Sequence, residues 1–262
     1  MIQRSAAIAF AVLAVLAGRT VAHAYTIEQR ASLGTLWYEK FENEEKAGWL
    51  SIRFAKADAD GNPALQTDAA TEIRVPQPQG TLRYSSEDRS YFDADMHLTS
   101  FHSKIRVNDK PIDLEGKRTE TGYSIVVHQE DKEQTLAFDK KDYDYTSADE
   151  VYDQLQKTGQ ELRFRVLDFE SLAVVPVVYR LEREEDCRHG GRKTTCEVYY
   201  YQKGQDVSNA WVTKDDGVLV RQRGVSREGS YEIRLSGEVA ARKMPAAPAA
   251  RKKPTKPATG KK

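Results

Sequence analysis

Apolar residues recur at every second position in segment after segment of this chain, and that period admits β-strands and little else. Leu50, Ile52 and Phe54 alternate with Ser51 and Arg53, and Leu162, Phe164 and Val166 alternate with Arg163 and Arg165. Further strands are expected at Thr35–Glu42, around Ile73 and Val75, around Leu82 and Tyr84, at Ile112–Gly116, Tyr123–His128, Thr135–Phe138, Val174–Leu181 and Val198–Tyr201, and at Tyr231–Leu235. Tyr91–Val107 reads as one long extended stretch, with Phe101, Ser103, Ile105 and Val107 on one side. Residues 58–70, rich in Asp, Gly, Pro and Ala, read as a loop. Lys214-Asp215-Asp216-Gly217 reads as the turn of a hairpin between Ala210–Thr213 and Val218–Arg223. About a dozen strands with closely spaced turns specify an antiparallel meander and exclude repeated βαβ units.

One helix interrupts the pattern. Ser147-Ala148-Asp149-Glu150 is a capping box, Val151 and Leu155 share a face, and Gly159 is a terminator. About twelve residues are too few for a helix that stands alone, so it must pack on the sheet.

The two ends differ from the body. Arg4, the run Ala6–Ala17 and the small residues of Ala22-His23-Ala24 form a secretory leader, with cleavage expected before Tyr25. The run is twelve residues, short of the roughly 20 that cross a bilayer core. No Cys precedes Cys187, so no thiol lies near the cleavage position for a lipid, and the mature protein is expected to be a soluble exported protein, periplasmic first and secreted second. The leader (1–24) and the tail (239–262) carry two and eight basic residues and no acid. The body, 25–238, therefore keeps 30 basic residues against 40 acidic ones. The tail, with Pro245, Pro248, Pro254 and Pro257 among alanines, cannot bury a core and is expected to be disordered. Its cations lack interleaved aromatics, so it fits anionic envelope polymers or lipid in general and no specific nucleic acid; a purely solubilising role fits equally.

Cys187 and Cys196 bracket a hairpin loop read as Gly190–Lys193, which would place the two cysteines directly opposite each other and within disulfide reach. Export favours the oxidised pair. A redox pair is normally spaced by two residues, and zinc needs four ligands where His189 is the one nearby addition.

Catalytic signatures are missing. His97 and His102 are an odd number apart on the expected strand and cannot share a metal, His128 ends a strand, and His189 sits at the hairpin tip. Asp58-Ala59-Asp60-Gly61-Asn62 starts like a calcium loop, but the sixth and twelfth positions hold Pro63 and Ala69. No catalytic residue, metal or cofactor is expected, and the chain reads as a non-enzyme.

Trp37-Tyr38, the charged turn before Gly48-Trp49, the stretch from Tyr91, the late helix and the hairpin Ala210-Trp211-Val212…Gly217-Val218-Leu219-Val220 form an ordered set. Over about residues 30–238 it resembles uncharacterised bacterial envelope proteins related in shape to the lipoprotein-localisation fold. The resemblance implies a mainly β protein in which one strongly curved antiparallel sheet, an open half-barrel, wraps a short helix. It also implies an apolar or amphipathic ligand on the concave face. Trp37, Trp49, Phe54, Phe101, Phe164 and Trp211 are the candidates for that lining, and serve equally well as ordinary core. The basic tail and the cysteine hairpin depart from the lipoprotein carriers. The alternative expectation is an envelope scaffold that docks on anionic polymers through its tail.

Overall fold

The computed structural model describes residues 20–236 apart from positions 22, 25, 60, 78–79, 147–150, 152–153, 156 and 228. The leader's apolar run, Tyr25, the capping box Ser147–Glu150 and the basic tail lie outside the described residues. No helix among the described residues is long and apolar enough to cross a membrane.

Fourteen strands build one antiparallel sheet. They are β1 (Thr35–Glu42), β2 (Glu45–Ala59), β3 (Asn62–Gln77), β4 (Gly80–Phe92), β5 (Leu98–Val107), β6 (Lys110–Arg118) and β7 (Gly122–Gln129). There follow β8 (Lys132–Asp139), β9 (Glu161–Asp168), β10 (Ala173–His189), β11 (Arg192–Lys203), β12 (Asp206–Thr213), β13 (Leu219–Ser226) and β14 (Gly229–Leu235). A separate short ladder pairs Thr20–Val21 with His23–Ala24. Strands β1–β8 form one meander and β9–β14 a second. They are joined where β14 pairs with β1, leaving β8 and β9 at the two ends of the sheet.

The sheet curls further than a half-barrel and nearly closes. Residues 140–145 span the remaining gap. Lys140 N donates to Thr121 O (2.8 Å), Asp144 N to Arg165 O (2.9 Å) and Leu167 N to Tyr145 O (2.9 Å), and Tyr145 bridges Val166 in parallel. The Asp144 carboxylate also accepts from the Arg165 guanidinium at 3.0 Å.

Alternation assigns the faces. Leu50, Ile52 and Phe54 of β2, Leu65 and Ile73 of β3, Ile125 and Val127 of β7, Val177 and Tyr179 of β10 and Ile233 of β14 are buried in one interior cluster. Each fully buried Leu or Ile contributes about 1.5–3 kcal/mol. The interior is filled from the side as well. Phe169, in the turn after β9, packs on Phe101 of β5 at 4.8 Å and on Tyr123 of β7 at 5.1 Å between ring centroids.

Several expectations are corrected. Residues 58–70 are strand on both sides of a tight turn, with Ala59 paired to Asn62 and Gly61 at φ 82°. Thr67 and Ala69 face inward but are too small or polar to mark a strand by hydropathy. Tyr91–Val107 is two strands. Asp93 turns the chain by accepting from His97 N (2.9 Å) through its side chain and from Met96 N (3.0 Å) through its carbonyl. The first hairpin turns at Asn43 and Glu44, both at positive φ, so β2 begins at Glu45.

A helix not anticipated, α1 (Ile27–Ser32), precedes β1. Thr26 and Gln29 form a reciprocal capping box, the helix buries Ile27 and Arg30, and Arg30 Nη1 donates to Gly217 O at 3.4 Å. Where the late helix was expected, the described residues show 3-10 turn at Val151 and Gln154 and none at Leu155; Val151 and Leu155 are buried, and Gly159 takes φ 83° with its N–H donating to Leu181 O.

Cys187 and Cys196 are disulfide-bonded, with Cα atoms 5.7 Å apart. The register differs from expectation by two residues: His189 pairs with Arg192, Cys187 with Thr194 and Glu185 with Cys196. Gly190 and Gly191, at φ 56° and 75°, make a two-residue turn of the kind that matches strand twist, so the disulfide is diagonal.

Candidate ligand site inside the barrel

The inner face of β4 starts apolar, with Leu82 and Tyr84, and ends apolar, with Phe92. Between them the inward positions are Ser86, Asp88 and Ser90, all buried. Asp88 accepts from Ser86 Oγ at 2.8 Å and from Ser103 Oγ of β5. Burial pushes its carboxyl up to about 6, against the lowering effect of the two hydroxyls. Asp88 makes no ion pair with a Lys, Arg or His among the described residues. The Tyr84 phenol is also raised well above its ordinary value, first by burial and then by the charges of Asp88 and Glu170.

Glu170 reaches this region from the turn Phe169–Leu172, where Leu172 is held at φ 51°. Ser171 N and Oγ both donate to Asp168 Oδ2, which fixes the turn. Lys203, at the end of β11, donates to Glu170 Oε2 at 2.7 Å and to Asp168 Oδ1 at 3.2 Å. Burial raises Glu170 to about 7, with Lys203 opposing and Asp168 reinforcing the rise. For Lys203 burial disfavours the charge, yet the two carboxylates hold its pKa far above the usual lysine value.

The polar lining continues around the barrel. Gln222 of β13 donates from Nε2 to Ser208 Oγ (3.1 Å) and to Tyr231 Oη (3.2 Å). Its Oε1 has no hydrogen-bond partner among the described residues, although Gln222 is 1% exposed. Lys40 and Glu42 of β1 form a buried ion pair at 2.8 Å, with the Lys40 ammonium 5.7 Å from the Tyr231 ring centre. Tyr201 and Tyr231 are both raised by burial first and feel the charge of Lys203. Beside this belt lies the apolar group of Phe101, Tyr123 and Phe169.

The six expected lining residues divide. Phe54, Phe101 and Phe164 are buried on the inner face. Trp37, Trp49 and Trp211 alternate with the inward Tyr38, Leu50 and Ala210 and lie on the outer face. There Trp37 and Trp49 pack together at 5.4 Å, and Trp211 Nε1 donates to Glu185 beneath the Arg221 guanidinium. Asp88, Glu170, Lys203 and Gln222 were not anticipated. The spacing Ser86-x-Asp88-x-Ser90, in phase with Tyr84 and Phe92, was the available signal.

The histidines are not part of the inward belt, although His102, next to Ser103, is near enough for its charge to act on Asp88. His97 falls with Asp93 and Asp95, and His102 with Asp113 and Glu115, in two separate groupings rather than one. Asp93 is engaged by Arg118 at 2.8 Å, and His102 by Asp113 at 2.7 Å. His128 lies 3.4 Å from Glu133, and His189 lies 3.5 Å from Asp216. In the segment that resembled a calcium loop, Asp58 Oδ1 accepts from Gly61 N at 2.7 Å, and Asp60 lies outside the described residues.

No protein-family model and no curated protein sequence matches the chain. Among solved structures it is similar to a β-barrel-like protein of domain of unknown function DUF1849 from Brucella abortus. That likeness has 14% identity and a TM-score of 0.56, and covers 78% of this chain and 95% of the other. A DUF1089 family protein from Pseudomonas aeruginosa has 19% identity over 64% of this chain and 87% of its own, at a TM-score of 0.35. The first likeness establishes a shared barrel-like fold.

Proposed function

We propose that this protein is an exported, non-enzymatic binding protein that holds an amphipathic ligand inside its barrel. The observation that carries the reading is the division of the interior into an apolar group and a belt of buried ionisable and hydroxyl side chains. A core built only for stability gains nothing from Asp88, Glu170, Lys203 and Gln222, because each costs desolvation that an apolar side chain avoids. A ligand with a polar head and an apolar body meets both surfaces. The disulfide and the apolar leader support export.

The test is native mass spectrometry, with solvent extraction, of protein purified from its own host without detergent. The expected result is a stoichiometric amphipathic species released on denaturation. A protein that is empty in every preparation would rule the reading out.

A further inference from the structure

We infer that the outer face of β5, β6 and β7 binds a divalent transition-metal ion of the zinc type through His102, Asp113, Glu115 and His128. The site stands apart from the barrel interior, and neither it nor the amphipath reading depends on the other.

Register brings the four side chains together. His102 of β5 is the direct cross-strand partner of Glu115 of β6, and Asp113 of β6 is that of His128 of β7. All four alternate with the buried Phe101, Ser103, Leu114 and Val127, so they share the outer face. His102 Nε2 lies 2.7 Å from Asp113 Oδ1, and His102, Asp113 and Glu115 each offer a ligand atom within 4.8 Å of the others. Ligand atoms around a tetrahedral zinc sit roughly 3.3–3.5 Å apart, so these three close on an ion by shifts of about 1 Å. His128 contacts Glu133 at 3.4 Å. Direct cross-strand partners hold their Cβ atoms about 4.5–5.5 Å apart, so rotation about χ1 turns the His128 ring from Glu133 to the same point beside Asp113. Among the described residues neither Asp113 nor Glu115 is paired with a Lys or Arg, although Lys104 stands directly across from Asp113. Elsewhere on the outer face Asp68 is held by Arg53 and Arg89, and Glu232 by Arg221, Arg223 and Arg234. Two imidazoles with two carboxylates are a donor set for zinc and its neighbours, whereas calcium and magnesium take oxygen ligands. Four protein donors fill a tetrahedral shell, which makes the ion a clip across three strands and leaves no open position for chemistry. The grouping of Asp93, Asp95 and His97 has one imidazole, and Arg118 already engages Asp93 at 2.8 Å.

The experiment uses the untagged full chain, stripped with chelator, and titrates it with zinc chloride in a calorimeter. Cobalt(II) chloride is the second probe, because four-coordinate cobalt absorbs strongly in the visible and reports its own geometry. One saturable equivalent of zinc is expected, with the cobalt form showing the four-coordinate spectrum. His102→Gln and His128→Gln should each weaken zinc at least about tenfold, since loss of a ligand costs no less than the 10–100-fold typical of losing an outer-shell partner. His97→Gln should leave the affinity unchanged. All three positions are partly exposed, and thermal melts of the stripped variants check that the fold is intact. No saturable binding below about 100 μM zinc, weaker than about 5.5 kcal/mol, overturns the inference. So does binding that survives both His102→Gln and His128→Gln, a loss confined to one of them, or a loss produced by His97→Gln. Each of these results leaves the amphipath reading standing, because no residue of the interior takes part.

Discussion

Glu42 on the first strand and Tyr231 on the last are direct cross-strand partners, so the seam that joins the two meanders runs through the ligand belt. Lys40 closes the group, paired to Glu42 at 2.8 Å with both side chains almost fully buried.

Removing one member of that pair strands the other. Lys40→Met should destabilise the fold by about 3–5 kcal/mol, because Glu42 is left as a buried charge. The double variant Lys40→Met/Glu42→Leu should return close to the parent. Urea unfolding of the two single variants and the double variant checks this. A double variant no more stable than the worse single would show that the pair is not the source of the loss.

Gly116 is tightly fitted against the interior. A Cβ there would lie 2.0 Å from Phe101 Cε1, and Phe101 is backed by Phe169 and Tyr123. Gly116→Ala should cost about 1–3 kcal/mol through overpacking. Phe101→Leu in the same chain should recover part of it. Thermal melts of the single and double variants give the comparison. Gly116→Ala melting with the parent would mean that the Phe101 ring is free to move aside.

The disulfide lies toward the tip of the long hairpin of β10 and β11, away from the seam. Reducing it, or replacing both cysteines with serine, should lower stability by about 1–2 kcal/mol, less than a loop of its size gives in an open chain, since the two-residue turn already closes the hairpin. The β signature in circular dichroism should persist. Its loss on reduction would make the disulfide a condition of folding.

What the residues disclosed and what they hid have physical causes. The inward set Phe101, Ser103, Ile105 and the alternation of β9 were legible because apolar side chains fell on one parity. The cysteine pairing was legible from compartment and spacing, but its register was not, because loop length alone does not choose between two-residue and four-residue turns around Gly190-Gly191. The strand over 62–70 and the middle of β4 were hidden for a single reason: their inward residues are Thr67, Ala69, Ser86, Asp88 and Ser90, which hydropathy reads as loop. The tryptophans misled in the other direction, since size suggested the interior, whereas Trp211 uses its ring under Arg221 on the outside. Helix α1 was readable in Thr26 and Gln29, the two ends of its capping box. The position of Glu170 was not, because a turn residue's direction depends on the ion pairs it makes with strands 33 residues away.

Stability should rise on mild acidification, the reverse of ordinary acid denaturation. Burial lifts Glu170 to about 7 and Asp88 to about 6 in the folded state. Between roughly pH 4 and 7 the folded protein then holds protons that the unfolded chain has lost. The contribution is complete below the unfolded carboxylate range and disappears as pH rises through 6 to 7. Glu232 works in the opposite sense. Its contacts with Arg234, Arg221 and Arg223 outweigh burial and hold it down at about 2, so its contribution is present above the unfolded range and is lost as pH falls toward 2. The urea midpoint should therefore climb from pH 8 to about 5 and fall again below about 4. Glu170 should contribute on the order of 2 kcal/mol to the climb. Glu170→Gln together with Asp88→Asn should flatten that climb without touching the acid limb, and Glu232→Gln should do the converse. A midpoint that rises steadily from pH 5 to 8 in the parent protein would mean that these two carboxyls are not buried as protonated groups.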